Sequence, residues 1–85
     1  MKRKWYGVFA LNGLGVYTDY AKFVNDSYYM RGERIKAFRE REDAEDFAIS
    51  GFDDLCGVEC RARILLNLEH LYPNYFYFRR KSNEN

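Results

Sequence analysis

Two cysteines and one histidine are the residues of this chain best suited to metal or nucleophilic chemistry. Cys56 and Cys60 are four residues apart, a spacing that places two thiolates on one face of a helix, and His70 follows further along. A structural zinc site uses about four ligands, so these three candidates do not complete one. We predict that the thiols pack on the apolar side of a helix and that the chain holds no metal and no other cofactor.

Acidic residues form the second chemical group, and they crowd one short segment. In two-metal nucleases the carboxylates converge on the metal ions, whereas carboxylates in one short helical segment point around it. His70 lies on a different predicted helix from these carboxylates. The chain contains neither a Gly-x-Ser-x-Gly motif nor a phosphate-binding glycine loop. We therefore predict an exposed helix face, no catalytic residues and no enzymatic activity. The segment contains Glu40, Glu42, Asp43, Glu45 and Asp46.

The composition is that of one small folded domain. A chain of 85 residues buries only roughly 60–65% of its unfolded surface, so its core needs large side chains. Aromatic residues make up 19% of the chain and charged residues 32%, which argues against a disordered protein. Since no apolar run approaches the roughly 20 residues of a membrane-spanning helix, we predict no membrane partner.

Charge and cysteine usage narrow the class of protein further. The net charge of +1 gives the molecule no strong field for polyanions. The basic ends, Lys2–Lys4 and Arg79–Lys81, form a basic patch if they meet on one face; alternatively, they only keep the ends soluble. Two cysteines do not make a disulfide framework, and Met1–Trp5 is not followed by the apolar stretch of a secretory signal. A cytoplasmic location is therefore predicted.

A β-hairpin is predicted at the beginning of the chain. Lys4 to Leu11 is rich in aromatic and branched residues, as strands are, and Asn12-Gly13 favours a tight turn. A second strand is predicted from about Gly15 to Thr18. A helix follows, capped by Thr18 or Asp19. In this helix Tyr20, Phe23, Val24 and Ser27 recur at three- and four-residue spacing, which is typical of one helix face.

The middle of the chain predicts a third strand and a second helix. Gly32 is suited to a positive φ or to close approach of another backbone. Arg34 to Phe38 reads as the strand, and Glu42 to Ile49 as a short helix whose early carboxylates favour its N-terminal end.

The last third predicts a third helix and a final strand. Pro73 ends the helix, and the aromatic residues of Asn74 to Arg80 favour a strand. The predicted fold class is α+β: a small three-stranded antiparallel sheet with two helices, extended by a C-terminal helix and short strand. We assign residues 1–50 to the core and 51–85 to the extension of the same single domain. The predicted apolar stripe of the third helix is Cys56, Cys60, Ile64, Leu68 and Leu71.

The order of small landmarks in the first half resembles the amino-terminal hybrid-binding domain of eukaryotic-type ribonuclease H, which also occurs in viroplasmin proteins. That pattern has an aromatic first strand, a glycine loop, a Gly-Ile/Val-Tyr/Phe strand, a lysine-bearing third strand and a Glu-Ala-x-x-Phe helix. The matching residues are Tyr6, Val8, Gly15, Val16, Tyr17, Gly32, Lys36, Phe38, Ala44 and Phe47.

This resemblance implies binding of double-stranded RNA or RNA/DNA hybrid without catalysis. By position, it implies a binding face of strand and helix residues plus the backbone around Gly32. An A-form duplex has a wide, shallow minor groove with 2′-hydroxyls, which such a backbone can approach while aromatic rings lie against sugars and a lysine meets a phosphate. The implied contact residues are Tyr6, Tyr20, Gly32, Glu33, Arg34, Ile35 and Lys36.

Simpler readings of the same residues remain open. Tyr6 and Tyr20 could pack in the core or at its rim, Lys36 could protect an edge strand from aggregation, and Gly32 could serve only a turn. The alternative function is a protein-interaction or homo-oligomerisation module that kept the fold and lost nucleic-acid binding. Its contact surface would be the aromatic C-terminal segment Tyr75 to Phe78, which could pair with a partner or form a homodimer, together with Tyr28-Tyr29.

Overall fold

The fold is α+β, with one antiparallel sheet of four strands and three helices. The computed structural model describes residues 4–64 and 71–78. Within these ranges, no helix is long and apolar enough to cross a membrane. The spatial order of the strands is β3-β1-β2-β4. The elements in chain order are β1 (Trp5–Ala10), β2 (Gly13–Tyr17), α1 (Tyr20–Ser27), β3 (Arg34–Phe38), α2 (Arg41–Cys56), α3 (Val58–Ile64) and β4 (Tyr75–Phe78).

The first helix lies where the sequence predicts it, and the first hairpin is present with its turn one residue earlier and the start of its second strand two residues earlier than predicted. Ala10 pairs with Gly13, so the turn is tight and begins at Leu11. Asp19 is the N-cap of α1, and its side-chain carboxylate accepts the backbone N–H of Ala21 at 3.0 Å. Of the two predicted caps, Asp19 is therefore confirmed, because its extended backbone lets the carboxylate reach the unpaired amides of the first turn.

The second helix is much longer than predicted. We expected it to end at Ile49, but α2 continues to Cys56 and passes through position 50 without a break. Gly51 lies inside the helix, and its missing side chain makes room for the ring of Phe9 from β1. Burial of Phe52 gives the continued helix a packed residue on the same side as Ala48.

The predicted third helix is wrong at both ends. Cys56 belongs to α2, and Gly57, with a φ of 91°, ends that helix before α3 begins. At the other end, Leu71 is buried but lies outside any helix. Residues 65–70 of the predicted helix, which include Leu68 and His70, fall outside the described residues. The described residues of the predicted apolar stripe are thus divided among α2, α3 and the irregular segment at Leu71.

The predicted three-stranded sheet is also wrong, because the C-terminal strand joins the sheet as its fourth strand. β4 pairs antiparallel with β2, and Gly13 and Gly15 lie opposite Phe78 and Phe76. A side chain at either glycine would overlap a backbone carbonyl of β4, so the two glycines permit this pairing. β4 therefore occupies the edge of the sheet opposite to β3.

Each sheet face carries its own apolar cluster. On the face covered by α1, which we call the α1 face, Val8 and Tyr17 pack with Phe23. On the face covered by α2, the α2 face, Leu14 and Val16 pack with a second group that extends into α3. This second group is Ala44, Ala48, Phe52 and Leu71, with Cys56, Cys60 and Ile64 packed against it.

An ion pair with a buried carboxylate ties the C-terminal segment to α2. Glu45 is buried, unlike the exposed helix face that we predicted for the acidic segment. Its Oε2 accepts the Nε–H of Arg41 at 2.9 Å and the backbone N–H of Leu71 at 3.1 Å. Arg41 also donates to the carbonyl of Leu71. Since these bonds satisfy the carboxylate, its burial is compatible with a stable fold.

The buried hydroxyl of Tyr17 gives the fold a dependence on alkaline pH. It donates to Asp26 Oδ2 at 2.6 Å. Burial, and then the nearby carboxylate, raise the pKa of Tyr17 above its ordinary value of 10.0. The folded chain thus holds this proton more tightly than the unfolded chain, and the contribution is complete below about pH 10 and lost as the pH rises above it.

We expect Tyr17→Phe to reduce the loss of stability at alkaline pH. The variant should be less stable than wild type by about 1 kcal/mol at neutral pH, because Asp26 loses a hydrogen bond. That difference should stay constant up to about pH 9 and shrink as the pH rises through about 10 to about 11, because only the wild type loses the contribution of a Tyr17 proton. Urea unfolding followed by circular dichroism measures both values. Parallel pH profiles for the two proteins would contradict the prediction.

Candidate nucleic-acid interface

Tyr6 and Tyr20 form an aromatic platform on the α1 face. Their ring centroids are 5.5 Å apart, and the ring of Phe23 lies 5.6 Å from that of Tyr20. Tyr20 is 52% exposed although it touches both rings. The Asp19 cap fixes the start of α1, so it also fixes the position of the Tyr20 side chain on the first turn of the helix. A half-exposed ring that its neighbours support is suited to stack on a flat or ribose-bearing ligand.

β3 extends this platform to the edge of the sheet. Ile35 pairs with Val8 and packs against the cluster of the α1 face, and Ala37 lies opposite Tyr6. Among the described strands, β3 pairs with β1 alone, so every second residue directs its backbone N–H and C=O away from the sheet. This edge therefore offers backbone hydrogen-bonding groups beside the two tyrosine rings.

Gly32 lies in an exposed loop just before β3. Its φ of 64° belongs to the left-handed region that favours glycine, as predicted, and a side chain there would meet little except Leu11. The backbone at Gly32 is thus open to a ligand. A turn requirement accounts for the glycine equally well.

Asn12 holds this loop, a role that the sequence did not indicate beyond a turn. Its Oδ1 accepts the backbone N–H of Arg31 at 3.0 Å, and its Nδ2 donates to the carbonyl of Tyr29 at 2.8 Å. The carbonyl of Arg31 in turn accepts the N–H of Leu11. The hairpin turn and the Gly32 loop are therefore one unit. Since an Asn-Gly pair by itself predicts a turn, the sequence gives no separate signal that the Asn12 side chain also holds the Gly32 loop.

The two cations of β3 lie on the other face of the sheet. Lys36 pairs with Gly7, which faces Ala44 of α2, and Arg34 pairs with Phe9, which packs on Phe47 of α2. Since cross-strand partners share a face, Lys36 and Arg34 belong to the α2 face. The structure therefore groups Tyr6, Tyr20 and Ile35 and places Lys36 and Arg34 behind them.

The C-terminal strand leaves the platform edge uncovered. β4 pairs with β2, two strands away from β3, and Phe76 is buried against the α1-face cluster beside Gly13 and Gly15. The cations that could extend the platform electrostatically, Lys2 and Arg3 at one end and Arg79, Arg80 and Lys81 at the other, lie outside the described residues.

The cysteines lie in a packed region. Both are partly buried against the α2-face cluster, and Cys56 Sγ donates to the carbonyl of Leu11 at 3.3 Å. Within residues 4–64 and 71–78, no three His, Cys, Asp or Glu side chains are grouped to hold a metal ion.

Comparisons with protein-family models, with curated proteins and with solved structures find no match. The likeness to the hybrid-binding domain of ribonuclease H therefore stays a prediction. What supports a function is the geometry of the chain itself, above all the tyrosine platform beside an edge strand.

Proposed function

We propose that this chain binds double-stranded RNA or RNA/DNA hybrid, without catalysis, through the platform of Tyr6 and Tyr20. The observation that carries the proposal is the ring of Tyr20, half exposed and held 5.5 Å from Tyr6 beside the edge strand β3. In an A-form duplex the minor groove is shallow, and flat rings reach its sugars while backbone groups near Gly32 meet the 2′-hydroxyls. The two cysteines fit the reducing conditions of the cytoplasm.

The position of Lys36 sets the expected strength of binding. Each phosphate neutralised adds roughly 0.9 to the slope of log affinity against log salt on B-form DNA, and the platform face carries neither cation of β3. Binding should therefore be weak, with a shallow salt dependence, and should depend more on ring stacking than on ion pairs. Substitution of Lys36 should change duplex affinity little.

Tyr20→Ala should weaken duplex binding by about tenfold, since stacking on an aromatic side chain is worth about 1–3 kcal/mol. Fluorescence anisotropy with RNA/DNA hybrid, double-stranded RNA and DNA of one sequence at low salt measures this loss. Tyr75→Ala is the matched control, because Tyr75 is also exposed, at 55%, and lies on β4, at the edge of the sheet opposite to β3. Equal affinities of the two variants, or no binding of wild type to any duplex, would contradict the proposal.

A second candidate function is protein interaction, which the exposed aromatic residues favour. Tyr28 and Tyr29 are 84% and 62% exposed and contact each other edge to face. Tyr75 and Phe78 of β4 are 55% and 48% exposed. Apolar surface of this kind is suited to a partner protein or to a second copy.

Self-pairing through β3 is disfavoured by charge. A two-fold pairing centred on Lys36 places two ammonium groups opposite each other, and one centred on Ile35 places Arg34 opposite Lys36. Like charges at directly opposite positions destabilise a sheet, so β3 resists this form of dimer. Light scattering in the anisotropy buffer tests oligomerisation. A dimer that binds no duplex would favour the second function.

A further inference from the structure

A groove on the α2 face lies between β3 and α2. Its volume is about 560 Å³. Three phenylalanine rings form its floor: the ring of Phe47 lies 5.2 Å from that of Phe9 and 5.5 Å from that of Phe38. The groove is therefore aromatic at its base, and it lies on the opposite side of the sheet from the tyrosine platform.

The wall that α2 contributes is acidic. Asp43, Asp46 and Asp54 line the groove from one side of the helix, over about 16 Å at 1.5 Å per residue. The ion pairs within residues 4–64 and 71–78 involve other carboxylates, those of Asp26, Glu45 and Asp53. Against three aspartates the lining offers one cation, Lys36, so the groove carries an excess of negative charge.

Lys36 indicates which chemistry this groove accepts. Its Nζ lies 5.6 Å from the centroid of the Phe38 ring, in the range of a cation–π contact. The chain thus already places a cation over the aromatic floor and near the acidic wall. A ligand cation that makes the same contact would enter beside Lys36 and would be repelled by it.

We propose that the groove binds a peptide through an arginine side chain, at a site separate from the duplex-binding platform. A guanidinium is planar, so it can stack on Phe38 or Phe47 while its N–H groups donate to Asp43 or Asp46. The apolar stem of the arginine covers the remaining phenylalanine surface. Charge complementarity with the aspartates selects a basic peptide over an acidic one.

The test compares two double variants that lose the same charge. In Asp43→Asn/Asp46→Asn the groove loses two carboxylates; in Glu40→Gln/Glu42→Gln two exposed carboxylates at the start of α2 are lost outside the groove. The probe is a fluorescent octapeptide with two arginines among glycine and serine, titrated at low salt. We expect the first variant to bind about tenfold more weakly than wild type and the second to bind within about twofold of it.

Lys36→Gln gives a test in the opposite direction. Removal of the competing cation should strengthen peptide binding by about threefold, whereas simple loss of a charged surface residue would not. Tyr20→Ala should leave peptide affinity unchanged, which separates this site from the duplex-binding proposal. Amide chemical shifts should change in β3 and along α2 when the peptide is added.

Several results would overturn the proposal. These are equal affinities of the two double variants, weaker binding by Lys36→Gln, or shift changes confined to residues outside the groove. A peptide with citrulline in place of arginine should bind at least about tenfold more weakly, because it lacks the charge. Equal binding of that peptide, binding of spermine as tight as that of the peptide, or self-association in place of binding would also overturn it.

Discussion

Asn74→Ala should destabilise the fold by about 3 kcal/mol. Asn74 Oδ1 accepts the backbone N–H groups of Thr18 and Asp19 at 2.9 and 3.0 Å, and Nδ2 donates to Thr18 Oγ1 at 3.0 Å. Alanine leaves both amides without this partner, at about 1 kcal/mol each. It also has to adopt the φ of 65° that Asn74 holds, which costs about 1 kcal/mol more.

Two replacements at the same position separate these causes. Asn74→Gly removes the side-chain bonds but tolerates the positive φ, so it should lie between alanine and wild type. Asn74→Asp keeps an oxygen acceptor for the two amides and should cost least. Urea unfolding by circular dichroism, with transitions of equal slope, gives the order of stability. An alanine variant as stable as wild type would contradict the role of Asn74.

Gly7→Ala should also destabilise the protein by about 3 kcal/mol or more. Gly7 lies where α2 crosses β1, and an added Cβ would overlap the carbonyl oxygen of Ala44 and come within 3.1 Å of the Phe47 ring. The obstructing carbonyl is helix backbone, so the whole helix must move away from the sheet, a form of overpacking that is costly. Thermal unfolding should show a Tm lower by roughly 4–8 °C per kcal/mol.

Gly51→Ala is the matched control for this effect. Its added Cβ would meet the ring of Phe9 and not helix backbone. A ring can rotate, and alanine in place of glycine inside a helix contributes about 1 kcal/mol of propensity. We therefore expect a clearly smaller loss than for Gly7→Ala. Equal losses of stability in the two variants would mean that the close approach of α2 to β1 is not what excludes a side chain at position 7.

Local signals predicted the first half of the fold well. The presence of a tight turn at Asn12, the cap at Asp19 and the positive φ at Gly32 each depend on neighbouring backbone, so residue type is informative there. The predicted second helix ends at Ile49, two residues before Gly51, whereas α2 continues to Cys56. The glycine at position 51 is required by its contact with Phe9 on β1, which is far away in the sequence. The four-residue spacing of Ala48 and Phe52 was the signal in the sequence that the helix continues.

Long-range pairing was the harder part. Alternating Gly13 and Gly15 make room for Phe76, but glycines in a hairpin also fit a turn, so they do not reveal that the predicted C-terminal strand pairs with β2. The same limit applies to the candidate site. Tyr6 and Tyr20 lie on one face, as the resemblance implies. Because side chains alternate along a strand, the sequence already shows that Ile35 and Lys36 lie on opposite faces. Which of the two shares the face of Tyr6 depends on the register of β3 with β1, which only the paired strands establish.

The addition of β4 to β2 has a consequence for how the chain folds during synthesis. Thr18 and Asn74, which contact each other at this junction, are 56 positions apart in the chain. At roughly 5–20 residues per second, a ribosome completes the hairpin several seconds before it delivers β4. Throughout that interval the outer side of β2 is an open template for intermolecular pairing. A nascent chain released before β4 has been synthesised should therefore aggregate more readily than a chain that contains β4.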